Sequence, residues 1–288
     1  MGTHSGSVKR KTCVVTGANS GIGKEIARGM AAEGSRVLMV ARDQERGEAA
    51  RAEVAASTGN GAVELLVCDL SSQRQVRELS MTILGRCDRL DVLINNAGLT
   101  LGERILTEDG IETTFAVNHL APFLLTALLR EQLGTSAPAR VVTVASDAHR
   151  GAEIDFDDPL GERGYSGWRA YSQSKLANIL FTIELAGRLR GTGVTATCLH
   201  PGVVRTGFGR QGPALIRFGT KIAGLFFLSP EKGADTAVWL ASSPEVEGAS
   251  GGFYEKRRLA KPSSAARDSA AATRLWGLSE QLTRLRSE

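Results

Sequence analysis

The chain has 288 residues, of which 42% are hydrophobic and 23% charged, with a net charge of +4. That length and balance suit one large α/β domain or two small ones with a sizeable core. The basic residues are scattered, so no nucleic-acid partner is expected, although a mildly positive field suits a bound polyphosphate cofactor.

In chain order, short β-branched runs alternate with amphipathic segments. Met1–Thr12 is polar and offers no apolar signal region. Thr12–Thr16 reads as a strand and Gly21 to about Glu33 as a helix, with Ile22, Ile26 and Met30 on one face. Between them lies Thr16-Gly17-Ala18-Asn19-Ser20-Gly21-Ile22-Gly23. Its glycines permit a tight turn and close backbone approach, and the helix start offers free N–H groups to a pyrophosphate. Arg36–Ala41 is the next strand, followed by Arg42 and Asp43. A basic side chain at this strand end suits the 2′-phosphate of NADP, so Arg42 favours NADP over NAD. Were the strand one residue longer, Asp43 would read the ribose instead.

Asp43–Ser57 reads as a helix, Val63–Cys68 as a strand, Ser72–Cys87 as a helix and Leu90–Ile94 as a strand. Asp69, followed by Leu70, either accepts from an adenine amino group or caps the next helix. Asn96, Ala97 and Gly98 end the fourth strand with small groups where a ligand approaches backbone. A long helix is expected over Glu108–Leu133. Asn118 sits inside it as a poor helix former, either a buried amide bonding backbone or a kink that frees a carbonyl for water. Arg140–Ala145 is a strand that ends at Ser146. His149–Gly167 is a polar loop, Trp168–Leu189 a helix and Val194–Leu199 a strand. Pro201–Leu228 reads as a lid and Ser263–Ser287 as a C-terminal helix with Leu275, Trp276, Leu278 and Leu282 on its apolar side. The repetition predicts one α/β domain over 1–288, a doubly wound parallel sheet flanked by helices.

Within the Trp168–Leu189 helix, Tyr171 and Lys175 stand four residues apart, on one face. A neighbouring ammonium favours the phenolate and lowers the tyrosine pKa toward neutrality, which suits a general acid or base. His119, His149 and His200 show no metal-ligand spacing and read as structural. Cys13, Cys68, Cys87 and Cys198 form no CxxC pair, so no metal site or disulfide framework is expected, and the compartment reads as reducing and cytoplasmic. No stretch has the length of a membrane span; Ala214–Leu228 is interrupted by Arg217 and Lys221.

Taken in order, the Thr16–Gly23 loop, Asn95–Gly98, Asn118, Ser146, Tyr171-Ser172-Gln173-Ser174-Lys175 and Pro201-Gly202 resemble a classical short-chain dehydrogenase/reductase, a family with a Rossmann fold. Ala145–His149, Ser174–Phe181, Gly191–Val194, His200–Gly202 and Leu275-Trp276 resemble its retinol dehydrogenase-like branch. The resemblance implies that Tyr171 is the general acid in carbonyl reduction and the base in reverse. It implies that Lys175 bonds the nicotinamide ribose, that Ser146 holds the substrate oxygen and that Asn118 holds a water in the proton path. Gly17, Asn19, Ser20, Gly21, Ile22, Gly23, Arg42, Asp69, Leu70, Asn96, Ala97, Gly98, Pro201, Val204 and Thr206 would hold the cofactor. The expected partner is a small lipophilic carbonyl or alcohol, received by an apolar pocket under Phe208, Ile216, Phe218, Phe226 and Phe227. A homo-oligomer is open, because relatives associate through their long helices. An epimerase or dehydratase, or a regulator that binds NADP without turnover, stands as the alternative function.

Overall fold

The computed structural model describes residues 11–203 and 228–285. Strands β1 (Thr12–Thr16), β2 (Arg36–Ala41) and β3 (Val63–Val67) alternate with helices α1 (Gly21–Ala32), α2 (Gln44–Thr58) and α3 (Gln73–Arg86). After β4 (Val92–Asn95), the chain passes through a short α4 (Thr113–Phe115), a π-helical turn (Ala116–Leu120) and α5 (Ala121–Thr135). Then follow β5 (Ala139–Val144), α6 (Gly167–Arg188) and β6 (Val194–His200). The last described elements are α7 (Pro230–Ser242), β7 (Phe253–Glu255), β8 (Arg258–Ala260) and α8 (Ser269–Thr283).

The strands form one sheet in the order β3-β2-β1-β4-β5-β6-β7-β8, parallel except where β8 runs against β7. This is the doubly wound, Rossmann-type arrangement expected from the alternation. The order reverses between β1 and β4, which opens a crevice at the carboxyl ends of the strands.

The period of two along each strand sorts the core. Val14, Leu38 and Val40 face α3 and α5, with Leu79, Ile83 and Leu124. Cys13, Val15, Val37 and Met39 face α1, α2 and α7, with Ile26, Val54 and Ala237. Because helices cover both faces, the central strands are apolar throughout rather than alternating. All four cysteines are free and buried, and burial pushes their thiols up. Among the described residues, no helix is long and apolar enough to cross a membrane.

Three departures from the sequence reading have local causes. The helix expected from Glu108 starts at Thr113, because Gly110 takes a left-handed turn (φ 75°) and the Glu112 carboxylate accepts from the N–H groups of Thr114 and Phe115. The C-terminal helix starts at Ser269 rather than Ser263, where Asp268 accepts from Ala271 N at 3.0 Å. Helix α7 and the β7–β8 hairpin were not anticipated; Ser229 caps α7 and Pro230 opens it. Helix α8 lies across α5 and α6. The Trp276 ring stacks on Phe181 (centroids 6.0 Å), meets Phe123 edge-on (4.9 Å) and sits 4.2 Å from the Arg188 guanidinium.

Candidate active site

The loop after β1 is shaped by what it touches. Gly17 has φ 66°, and a Cβ there would sit 2.9 Å from Ala97 Cα. A Cβ on Gly23 would sit 2.2 Å from the Gly17 carbonyl oxygen and 2.4 Å from Asn96 Nδ2. Both positions therefore require glycine. Thr16 ties the loop to the end of β4: its Oγ1 accepts from Asn96 N (3.0 Å) and Ala97 N (3.1 Å), while Asn96 Nδ2 donates to Thr16 O (2.9 Å). Ile22 packs behind the loop, and Asn19 is half-buried. Helix α1 begins at Gly21 with no acidic residue in its first turn, and Ser20 makes no side-chain cap. Its first N–H groups form a cradle for an anion, and the glycine-lined approach fits a dinucleotide pyrophosphate.

Strand β2 ends at Ala41 as the sequence predicts. Ala18 N donates to Val40 O at 3.0 Å, which docks the glycine loop on this strand end. Arg42 is exposed there. Asp43 is the cap of α2, its Oδ1 accepting from Arg46 N at 2.8 Å. Lys24 pairs with Glu53 at 2.8 Å on the surface. Asp69 does not cap α3; its Oδ1 accepts from Ser71 N and Ser71 Oγ, and Ser72 is the cap. Leu70 packs on the core.

The four catalytic candidates converge through a chain of contacts. Asn118 lies in the π-helical turn, a feature that recurs at functional sites. Its amide brackets the Leu99 backbone, accepting from Leu99 N at 2.8 Å and donating to Leu99 O at 2.9 Å, and it also donates to Ser174 Oγ at 2.9 Å. Both the backbone-bonding amide and the distortion of the helix are thus present. Gly98 lies against this amide and against Lys175: a Cβ there would sit 3.4 Å from Asn118 Oδ1 and from Lys175 Nζ. Ser174 Oγ donates to Tyr171 O at 2.7 Å, so Ser174 joins Asn118 to the tyrosine. The sequence reading assigned Ser174 no role, and only its place inside the Tyr-to-Lys spacing pointed to it.

Lys175 is buried, donates to Val144 O at 2.9 Å and lies 5.8 Å from the Tyr171 ring centroid. Burial pushes its ammonium down to about 8. The Tyr171 phenol is raised above its ordinary value by burial, with a hydrogen bond to Ser146 pulling the other way. This corrects the expectation of a lowered tyrosine pKa. Lys175 is anchored on a carbonyl at the side of the ring, and the cost of desolvating the phenolate dominates. Ser146, at the end of β5, also accepts from Ala148 N at 3.2 Å.

Beside this cluster, a cavity of about 620 Å³ opens between the Arg150–Asp157 loop, the start of α6 and Arg274 of α8. Ile154, Phe156 and the exposed Trp168 line it, and Trp168 lies 6.1 Å from the Tyr171 ring. Pro201 follows β6 half-buried. Val204, Thr206 and the apolar residues of the expected lid lie outside the described residues. Leu228 N donates to Val203 O at 2.8 Å, so the two flanks of that segment meet.

Comparison with known proteins agrees with this geometry. The sequence model of the short chain dehydrogenase family matches residues 11–213. Retinol dehydrogenase 14 of Homo sapiens is 44% identical over 99% of this chain and 89% of its own length. A crystal structure of an uncharacterized protein from Mycobacterium Paratuberculosis superposes with a TM-score of 0.77 at 37% identity, covering 95% of this chain and 93% of that one. The RhlG/NADP active-site complex of Pseudomonas aeruginosa gives 0.68 at 26% identity, covering 89% and 96%.

Proposed function

The chain belongs to the short-chain dehydrogenase family, in its retinol dehydrogenase-like branch, and from that premise we propose that it is an NADP-dependent oxidoreductase acting between a lipophilic aldehyde or ketone and the corresponding alcohol. Family membership makes it an NAD(P)-dependent enzyme acting on CH–OH groups. The observation that carries the finer reading is the convergence of Ser146, Tyr171, Lys175 and Asn118 beside a glycine loop whose close contacts leave no room for a Cβ.

In this reading the α1 N-terminus and the loop from Gly17 to Gly23, with Asn19, Ser20 and Ile22, hold the pyrophosphate. Asn96, Ala97 and Gly98 floor the crevice, Asp69 and Leu70 border the adenine, and Pro201, Val204 and Thr206 border the nicotinamide. When bound, the cofactor supplies or accepts a hydride. Ser146 holds the substrate oxygen by hydrogen bonding. Tyr171 gives that oxygen its proton in reduction and removes it in oxidation. Lys175 holds the nicotinamide ribose and, as a cation beside the phenol, eases the phenolate that forms. Asn118 positions a water that returns the proton to Lys175.

NADP is favoured over NAD because Arg42 is exposed at the end of β2, whereas the Asp43 carboxylate is engaged as a helix cap. The NADP in the RhlG complex supports the same choice. A lipophilic substrate is supported by the retinol dehydrogenase relatives and by Trp168 beside Tyr171. The four buried, free cysteines fit a cytoplasmic enzyme. The test follows NADPH and NADH absorbance with a panel of aliphatic and aromatic aldehydes and ketones. Consumption of NADPH with the more apolar members is expected. Tight NADPH binding without turnover of any member would mark a regulator and overturn the reading.

A further inference from the structure

Two histidines, His149 buried and His200 half-buried, hold opposite ends of one peptide group. The peptide between Ser146 and Asp147 presents its carbonyl to His149 and its N–H to His200. His149 Nδ1 lies 2.7 Å from Ser146 O, and Asp147 N donates to His200 Nδ1 at 3.2 Å. The protonation of each ring follows from its partners. Ser263 N donates to His149 Nε2 at 3.1 Å, so that nitrogen carries no proton and His149 donates through Nδ1. His200 accepts through Nδ1 and is therefore also neutral. The His149 ring is wholly buried and meets Phe253 edge-on with centroids 5.2 Å apart.

We propose that His149 and His200 clamp the peptide that follows Ser146 and act as positioning residues for the Ser146 hydroxyl, an inference that rests on the substrate-holding role of Ser146. The clamp fixes the peptide plane that sets the backbone direction at Ser146. The local 3-10 turn alone supplies one longer bond to the same carbonyl, from His149 N at 3.2 Å. A hydroxyl that must meet a substrate oxygen within a few tenths of an ångström needs more support than one turn gives. The two rings draw that support from distant parts of the chain. His149 is anchored on the segment between β8 and α8, and His200 closes β6.

Chemistry separates the clamp from mere packing. An Asn side chain carries a donor and an acceptor at the reach of Nδ1, whereas Leu fills similar space with neither. The variants His149→Leu, His200→Leu, His149→Asn and His200→Asn are compared for kcat, KM, NADPH Kd and Tm. Each Leu variant should lose about tenfold in kcat, the value of one hydrogen bond, with NADPH Kd changed less than about twofold. Each Asn variant should stay within about threefold of wild type. In a Ser146→Ala background, His149→Leu should cost less than about twofold further, because its effect runs through Ser146. If a Leu variant does not fold, Gln replaces it, since its amide sits one bond too far out and should behave as Leu. Equal losses in the Leu (or Gln) and Asn variants, or full additivity with Ser146→Ala, would overturn the clamp. An inactive Ser146→Ala beside fully active Leu variants sinks the clamp alone. A fully active Ser146→Ala sinks the reading of Ser146 itself.

Discussion

Tyr171 enters the reaction with its phenol raised by burial and with Ser146 as its hydrogen-bond partner. Tyr171→Phe keeps the ring and its contact with Trp168 but removes the transferable proton. Turnover should fall at least about a thousandfold while NADPH Kd, read by fluorescence titration, stays within about twofold. Near-normal activity would end the proton-donor assignment. In the proposed reading cofactor choice rests on Arg42, because Lys24 pairs with Glu53. Arg42→Ala should therefore cost about tenfold to a hundredfold in kcat/KM with NADPH and leave NADH nearly unchanged, the worth of one charge-assisted bond. A wild-type protein that prefers NADH would return the ribose to Asp43. Gly23 offers a test of the cradle. A methyl there meets the Gly17 carbonyl and the Asn96 amide, both held by hydrogen bonds. Gly23→Ala should cost about 2 kcal/mol or more in urea unfolding and weaken NADPH binding.

Among the elements, strands β1 to β6 were readable to within a residue or two because burial on both faces makes each an apolar run between polar turns, whereas the short β7 and β8 were missed. Thr12–Thr16 and Arg36–Ala41 match the sequence reading end to end. Helix starts were less readable where a capping side chain decides the matter, as Glu112 does immediately before α4. The π-helical turn left only a poor helix former, Asn118, as its trace, since an extra residue in a helix has no composition of its own. The site motifs were legible because each joins unusual residue types at a fixed spacing. The histidine clamp was not legible, because His149, His200 and Ser263 meet only through the sheet and the hairpin after it. The direction of the tyrosine pKa differs from the sequence reading because spacing reports the neighbouring cation but not the burial that raises the phenol. Helix α8 makes its own prediction. Trp276 is nearly buried between Phe123, Phe181 and Arg188, so Trp276→Ala should cost about 3–5 kcal/mol, read as a lower urea midpoint. Helix α8 packs mainly along α6 and reaches α5 through Trp276.

For the whole molecule, pH bears on stability through the buried His119 and His149 and the half-buried His200. His119 donates through Nε2 to Ser279 Oγ, which itself donates to Leu275 O. Burial pushes His119 down to about 3, and pushes His149 and His200 down as well. A group whose folded pKa is depressed stabilises the fold above its unfolded value, near 6.5, and that contribution is lost as pH falls toward the folded value. Stability should thus be level above about pH 7 and decline from pH 6.5 downward, with His119 alone contributing about 1.4 kcal/mol per pH unit between roughly 5.5 and 3. Urea midpoints at pH 7.5, 5.5 and 4.5 check this, and His119→Gln should flatten the decline. The bond from Leu228 N to Val203 O carries a different implication. Where a chain leaves and re-enters a framework at one point, the cost of closure depends on the length of the joining stretch. Its length enters the closure entropy only logarithmically, at about 0.6 kcal/mol per doubling. Lengthening the chain between positions 203 and 228 should therefore lower stability by only about that amount, read as a urea midpoint.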